Sequence, residues 1–175
     1  MTKAYFHGNN KSLDELQMAI DTKVGTIIVD NLMEAQALNE IAKKSDHLIH
    51  VLLRVNPGID AHTHKYIVTA HVDSKFGVSM MQEKEIVDLI QNFEDNPNLS
   101  FDGLHAHIGS QIFDKNAFVA EIEKMFGFVK KLESDYKKLS SPTKMQYARY
   151  RDGLSKLFAT GYEKARSSLQ KVVLR

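Results

Sequence analysis

Two histidines alternate with apolar residues just before a glycine–serine pair, within residues 103–111. As a strand, this segment places His105 and His107 on one face and its apolar side chains on the other, because strand side chains alternate. Gly109 then permits a tight turn, and Ser110 offers a hydroxyl and a backbone N–H at the carboxyl end of the strand. Ligands of α/β proteins bind at that end, so the pattern indicates a planar, phosphate-bearing ligand. It is equally typical of two core histidines followed by an ordinary turn.

Several other segments are rich in glycine, asparagine, histidine and charged residues. They are His-Gly-Asn-Asn-Lys-Ser at 7–12, Arg-Val-Asn-Pro-Gly at 54–58, His-Thr-His at 62–64 and Asp-Ser-Lys-Phe-Gly at 73–77. With His-Ala-His-Ile-Gly-Ser-Gln at 105–111, their order and spacing resemble those of the diaminopimelate decarboxylase family. That family groups with the alanine racemase-like, fold-type III pyridoxal-phosphate enzymes. The resemblance covers about residues 4–132.

The resemblance implies a fold, a cofactor and a reaction. The cofactor is pyridoxal 5′-phosphate, and the reaction is the lyase step of lysine biosynthesis that converts meso-diaminopimelate to L-lysine and CO2. A complete (β/α)₈ barrel needs roughly 200–250 residues, whereas this chain has 175. We therefore expect an α/β fold that contains about half of a TIM-type β/α barrel.

Candidate site residues also follow from the resemblance. His107 matches the family histidine that stacks on the pyridoxal ring, and it is the candidate catalytic residue. Ser110 matches the serine that binds the cofactor phosphate, while Arg54 and His105 would lie near the cofactor. Lys75 belongs to a motif near the active site and the subunit contact, and it is not the lysine that binds the cofactor.

The family motifs that are absent matter as much as those present. The cofactor lysine lies in a Tyr-Ala-x-Lys-Ala-like strand upstream of the segment matching His7, and no such motif occurs here. The Gly-Gly-Gly phosphate loop and the Glu-Pro-Gly-Arg segment are absent too. We therefore expect an internal fragment that is inactive alone and binds pyridoxal phosphate weakly or not at all. The alternatives are a non-catalytic homologue that regulates the full enzyme, and a scaffold that presents the basic tail.

Hydrophobic periodicity predicts alternating strands and helices. The strands cover 4–7, 26–29, 48–55 and 99–108, and the helices cover 12–22, 32–44, 82–93 and 116–132. Ser12 and Glu15 have the spacing of a capping box at the start of the first helix. This alternation indicates a parallel sheet with right-handed crossovers.

The segment 56–79 is predicted to be a long loop that leaves the carboxyl end of a strand. Loops of this length in a compact domain are usually functional, and this one is dense in titratable side chains. His62 and His64 are a possible metal pair, but no second cluster supports it, so we expect no metal site. A solvated loop at the rim is the competing interpretation.

The composition is that of an ordinary globular protein, with 43% hydrophobic and 26% charged residues. The absence of cysteine excludes disulfides and thiolate metal sites. No apolar run approaches the roughly 18 residues of a membrane span. These features predict a soluble, cytoplasmic protein with no transmembrane segment.

Charge divides the chain near Tyr136. Residues 1–136 hold 13 basic and 20 acidic residues, whereas residues 137–175 hold 10 basic and 2 acidic ones. We expect a partial barrel domain over 1–136 and a basic amphipathic helix over 137–175. The helix could cover a sheet edge, contact a membrane surface or nucleic acid, or be an unrelated sequence joined by rearrangement. No aromatic–basic RNA-binding pattern is present, so no nucleic-acid partner is expected.

An incomplete barrel leaves strand edges and an inner face without cover, which folded proteins avoid by pairing or packing. We therefore expect a homo-oligomer or association with a complementary fragment.

Overall fold

The computed structural model describes residues 3–59, 76–109 and 115–135. All of them lie in the first of the two units into which the chain divides, Met1–Asp135. The elements in chain order are β1 (Tyr5–Phe6), α1 (Leu13–Asp21), β2 (Thr26–Val29), α2 (Leu32–Ala42), β3 (Ile49–Asn56), β4 (Val78–Ser79), α3 (Glu83–Glu94), β5 (Leu99–His105) and α4 (Lys115–Asp135).

The strands form one parallel sheet. Strand β1 pairs with β2, β2 pairs with β3, and both β4 and β5 pair with β3. Because all strands run the same way, their carboxyl ends meet along one border, which we call the carboxyl edge. The predicted parallel α/β architecture is confirmed.

Most of the hydrophobic core lies on one face of this sheet. Ile49, Val51, Leu53 and Val55 alternate along β3 and are buried, whereas His50 on the opposite face is exposed. Buried helical side chains complete the core, namely Leu16, Ala19, Ile20, Ala35, Leu38, Ala42, Ile86, Val87, Leu89, Ile90, Phe93, Ala117, Phe128 and Leu132. The other face of β3 is therefore free to carry polar residues.

Local hydrogen bonds fix where the first two helices begin. Ser12 Oγ accepts from the Glu15 backbone N–H at 3.2 Å, and Glu15 Oε2 accepts from the Ser12 N–H at 2.7 Å. The predicted capping box is thus present, and it satisfies two backbone donors that the first helical turn leaves unpaired. Asn31 caps α2 through its side chain, which accepts from the Glu34 N–H at 2.9 Å.

Strand β4 corrects the prediction of an uninterrupted loop over 56–79. Val78 and Ser79 pair with Val55 and Asn56 of β3. The segment that carries His62 and His64 lies outside the described residues.

Strand β5 is shorter than predicted and ends at His105. The proposed basic helix over 137–175 lies outside the described residues, so it and the domain boundary stay predictions. Among the helices that the structure describes, none is long and apolar enough to cross a membrane.

Candidate functional site

Four polar side chains are carried to the carboxyl edge by four different strands. His7 directly follows β1, Asp30 directly follows β2, Arg54 lies near the end of β3, and His105 ends β5. In parallel α/β sheets this edge is where ligands bind. The sheet therefore brings together residues that are far apart in the sequence.

Arg54 and Asp30 form a buried ion pair at the centre of this edge. Arg54 Nη1 donates to Asp30 Oδ1 at 2.8 Å, and only 6% of Arg54 and 2% of Asp30 is exposed. Asp30 Oδ2 accepts a second hydrogen bond, from the Gly77 backbone N–H at 3.0 Å. The guanidinium carbon also lies 5.2 Å from the centroid of the Phe76 ring. Pairing and hydrogen bonding compensate for removing these charges from water.

A second buried pair, Lys11 with Glu34, supports the first. Lys11 Nζ contacts Glu34 Oε1 and donates to the carbonyl oxygens of Gly8 at 2.6 Å and Ile28 at 2.8 Å. Glu34 Oε2 accepts from the Asp30 backbone N–H at 3.2 Å. Burial raises the pKa of the Glu34 carboxyl, and the Lys11 ammonium opposes that rise. One carboxylate and two carbonyl oxygens thus surround the Lys11 ammonium, so this lysine holds the loop after β1 in place.

Three imidazole rings lie beside the Arg54–Asp30 pair. The His7 ring centroid is 5.1 Å from that of His105 and 6.4 Å from that of His107, each in an edge-to-face arrangement. His7 and His107 are exposed, and His105 is half-buried. Among the described residues, no hydrogen-bond partner faces the buried Nδ1 of His105. Within the described part of the chain, this buried polar atom is therefore unsatisfied.

The surroundings of two of these rings favour their neutral forms. Burial, followed by the charges of His7 and Arg54, lowers the pKa of His105 to about 4. Partial desolvation and the charges of Arg54 and Lys11 also lower the pKa of His7. The carboxyl edge therefore presents neutral, flat imidazoles next to a charge-balanced ion pair.

A bulge in β5 determines the direction of His105. Val51 pairs with Phe101 but Leu52 pairs with Gly103, so the register shifts by one residue between them. The shift reverses the alternation along the strand, and His105 comes to pair with Arg54. Both side chains thereby reach the same polar face of the sheet.

The structure brings together three of the four candidate site residues, namely Arg54, His105 and His107. The fourth, Ser110, lies outside the described residues, as does Lys75. The roles assigned to all four stay predictions. Within the described ranges, no cluster of three or more histidine and acidic side chains could hold a metal ion.

Sequence reasoning missed Asp30 and Glu34. A signal for Asp30 was present, because an acidic residue directly after a buried apolar strand lies at the carboxyl edge of a parallel sheet. Glu34 follows the Asn31 cap by three residues, so a surface capping role was the natural expectation. In the structure it is buried and paired with Lys11.

Comparison with known proteins identifies the family. Residues 2–140 match the model described as pyridoxal-dependent decarboxylase, pyridoxal binding domain. The chain belongs to this family. Pyridoxal phosphate is the cofactor of these decarboxylases, as the resemblance implied.

Individual pyridoxal-dependent decarboxylases match the same region. Diaminopimelate decarboxylase of Bacillus subtilis is 45% identical over 127 residues, which are 71% of this chain and 28% of that protein. The enzyme of the same name from a Synechocystis strain is 50% identical over 113 residues, 65% of this chain and 23% of that protein. The chain thus spans about a quarter of the length of the curated relatives that it matches.

A solved structure supports the same relationship. Diaminopimelate decarboxylase of M. jannaschii, in complex with L-lysine, superimposes with a TM-score of 0.65 at 30% identity. The superposition covers 77% of this chain and 31% of that one. The described sheet therefore matches a part of the larger fold of that decarboxylase.

The described residues fit the ring of the family cofactor. The unpartnered Nδ1 of His105 and the flat, uncharged imidazoles suit a planar heteroaromatic ligand. Arg54 contributes a cation whose charge Asp30 already balances. The fit at the phosphate end depends on Ser110, outside the described residues.

Proposed function

We propose that this chain is a segment of a diaminopimelate decarboxylase, the pyridoxal-phosphate lyase that converts meso-diaminopimelate to L-lysine and CO2. The observation that carries this proposal is 45% identity, over 127 residues, to the Bacillus subtilis protein of that name. Sequence identity alone does not establish a binding site, because a site also needs its side chains to lie close together. Arg54, His105 and His107 lie together at the carboxyl edge, which supports the proposal.

Within this proposal the candidate residues have distinct roles. His107, exposed at the edge, stacks on the pyridoxal ring, and Ser110 binds the phosphate. Arg54 and His105 border the ring, and the low pKa of His105 keeps its imidazole neutral there. When bound, pyridoxal phosphate supplies an electron sink for the carbanion that remains after CO2 leaves.

A chimera tests the proposed function. Residues 4–132 of this chain would replace the corresponding segment of the Bacillus subtilis diaminopimelate decarboxylase, and CO2 release from meso-diaminopimelate would be measured. We expect activity, because the transplanted edge supplies the ring-facing residues. A soluble, folded chimera that releases no CO2 would refute the proposal.

A pair of histidine variants provides the matched control. His107→Ala in the chimera removes the ring that would stack on the cofactor, and we expect most of the activity to disappear. His50→Ala removes an exposed histidine from the opposite end of β3, where it pairs with Asp102 at 2.9 Å. That variant should retain activity.

We also propose that the 175-residue polypeptide releases no CO2 by itself, even with added pyridoxal phosphate. The sequence contains no segment like the family's cofactor lysine motif, and Lys11 at the edge is fully engaged. Turnover above a control without protein would contradict this expectation. It would indicate that another lysine, Lys75 first, binds the cofactor.

The partner we propose is a second copy of the chain or a complementary fragment that completes the barrel, in the cytoplasm. Large apolar side chains on α4 are exposed in the described unit, among them Phe118, Val119 and Ile122. Tyr5 in the short edge strand β1 is exposed as well. Apolar surface of this kind is normally covered in folded assemblies.

A further inference from the structure

Asp30 joins three segments of the chain that are distant in sequence. Its side chain lies directly after β2, bonds Arg54 of β3 through Oδ1, and bonds the Gly77 backbone before β4 through Oδ2. We propose that Asp30 is a positioning residue of the cofactor site, which fixes the Arg54 guanidinium and the chain at Phe76–Gly77 in one joint arrangement. This inference rests on the proposed function, because the orientation of Arg54 matters only if the carboxyl edge binds a ligand.

The Arg54 side chain is constrained on two sides. Asp30, itself 2% exposed, holds the Nη1 atom, and the Phe76 ring lies 5.2 Å from the guanidinium carbon. Arginine has a long side chain with many rotamers, and an unpaired guanidinium at a buried position is strongly disfavoured. The carboxylate therefore selects the rotamer that keeps Arg54 at the edge.

The Gly77 backbone packs directly on the same arginine. A Cβ atom at position 77 would lie 3.2 Å from Arg54 Cγ and 3.2 Å from the Arg54 carbonyl oxygen. The bond from Gly77 N to Asp30 holds this close approach in place. A change in the position of Arg54 must therefore displace the Phe76–Gly77 segment, and the reverse is also true.

Asp30 also balances charge beside the imidazoles. The groups that act on His105 are His7 after β1, Asp30 after β2, Arg54 on β3, and His107 on its own segment. Arg54 favours the neutral form of His105, and Asp30 acts in the opposite direction. Removing only the charge of Asp30 should therefore change the pKa of His105. If Asp30 served only in packing, that pKa would stay the same.

The test compares Asp30→Asn with Asp88→Asn in the full 175-residue chain without ligand. Asp88 undergoes the same chemical change but forms an exposed pair with Lys84 on α3 at 2.6 Å. Hydrogen exchange of the Gly77 amide is measured relative to that of Val51, a buried residue of β3, and the pKa of His105 is measured by NMR titration.

In Asp30→Asn we expect the Gly77 amide to exchange about tenfold faster relative to Val51, as for a lost bond to a charged acceptor. The pKa of His105 should fall below about 4, because the charge of Arg54 is no longer balanced. Asp88→Asn should change neither quantity. Equal acceleration of Gly77 and Val51 exchange with an unchanged His105 pKa would show a stability role only and overturn the inference.

Arg54→Met keeps the inference testable if Asp30→Asn fails to fold. The variant removes the guanidinium but retains an apolar stem, so Gly77 exchange should still accelerate and the pKa of His105 should rise. If Gly77 exchange is unchanged, the guanidinium and the segment are not linked, and the inference is wrong.

The chimera connects this arrangement to the cofactor. Asp30→Asn in the chimera should raise the pyridoxal phosphate concentration needed for half-maximal activity about tenfold, while Asp88→Asn should not change it. An unchanged cofactor requirement in Asp30→Asn would overturn the positioning role. An inactive chimera without the Asp30 substitution would overturn the proposed function and with it the role of Asp30 at a cofactor site. The exchange and titration measurements use the ligand-free chain, so their failure would overturn the inference while leaving the proposed function intact.

Discussion

Replacing Gly77 by alanine should destabilise the folded chain by about 2–3 kcal/mol. Gly77 has φ of 74°, a left-handed conformation that costs other residues roughly 1–2 kcal/mol. The new Cβ would also lie 3.2 Å from the Arg54 carbonyl oxygen and from the Val55 carbonyl carbon, backbone atoms that cannot rotate away. Overpacking of this kind costs about 1–3 kcal/mol, and reduced freedom of the unfolded chain returns about 0.4–1 kcal/mol.

Gly127 provides a matched control with the opposite sign. It lies inside α4 on an exposed surface, and a Cβ there would meet nothing within 4 Å. Alanine is favoured over glycine in helix interiors by about 0.5–1 kcal/mol, so Gly127→Ala should stabilise the chain. The same chemical change thus has opposite consequences at two positions of one molecule.

The measurement is urea unfolding of the full chain, followed by far-ultraviolet circular dichroism. The slopes of the transitions should agree between variants, and the midpoints should move in opposite directions. In thermal unfolding, Gly77→Ala should lower Tm by roughly 4–12 °C. If Gly77→Ala unfolds at the wild-type urea concentration, Gly77 does not lie as close to the backbone of Arg54 and Val55 as described above.

Further predictions concern the cofactor, pH and assembly. Ser110→Ala should weaken pyridoxal phosphate binding to the chain by about 1.5–3 kcal/mol, the range for a hydrogen bond to a charged group. Identical titration curves for wild type and variant would contradict the assignment of Ser110 to the cofactor phosphate. The pKa of His105 is 6.5 in the unfolded chain and about 4 in the folded chain. As the pH falls, the unfolded chain binds the proton first, so the contribution of His105 to the free energy of unfolding is full above pH 6.5 and is lost as the pH falls towards 4. His105→Gln should therefore flatten the dependence of unfolding free energy on pH in that window, and an unchanged slope would argue against the buried, neutral imidazole. If residues 137–175 cover a sheet edge of the half-barrel, a chain ending at Tyr136 should associate in size-exclusion chromatography with light scattering, because that edge is then exposed. A monomer as stable as the full chain would show that residues 137–175 are not that cover.

Features set by short-range contacts could be predicted from the sequence. Ser12 and Glu15 are three residues apart, and both bonds of their capping box form. Strand β2 covers the residues predicted for it. Its sequence is a short β-branched apolar run, a local pattern that indicates a strand without knowledge of its partners. The parallel arrangement follows from the alternation of these elements.

Features set by strand pairing could not be predicted in this way. The two-residue strand β4 has no periodicity of its own and exists because β3 offers it a partner. Asp30 and Arg54 meet because the register of β2 against β3 brings their ends together. The bulge in β5 likewise depends on pairing with β3, and strict alternation of side chains does not anticipate it.

The central position of β3 has a consequence during synthesis of the chain. Its partner β2 is made before it, but its partner β5 is made only after residues 57–98, which include β4 and α3, have been added. Throughout that interval the edge of β3 that later binds β5 has unpaired backbone groups, a template for association with other chains. We expect the nascent polypeptide to be most prone to aggregation, and most dependent on chaperones, between the emergence of Asn56 and that of His105 from the ribosome.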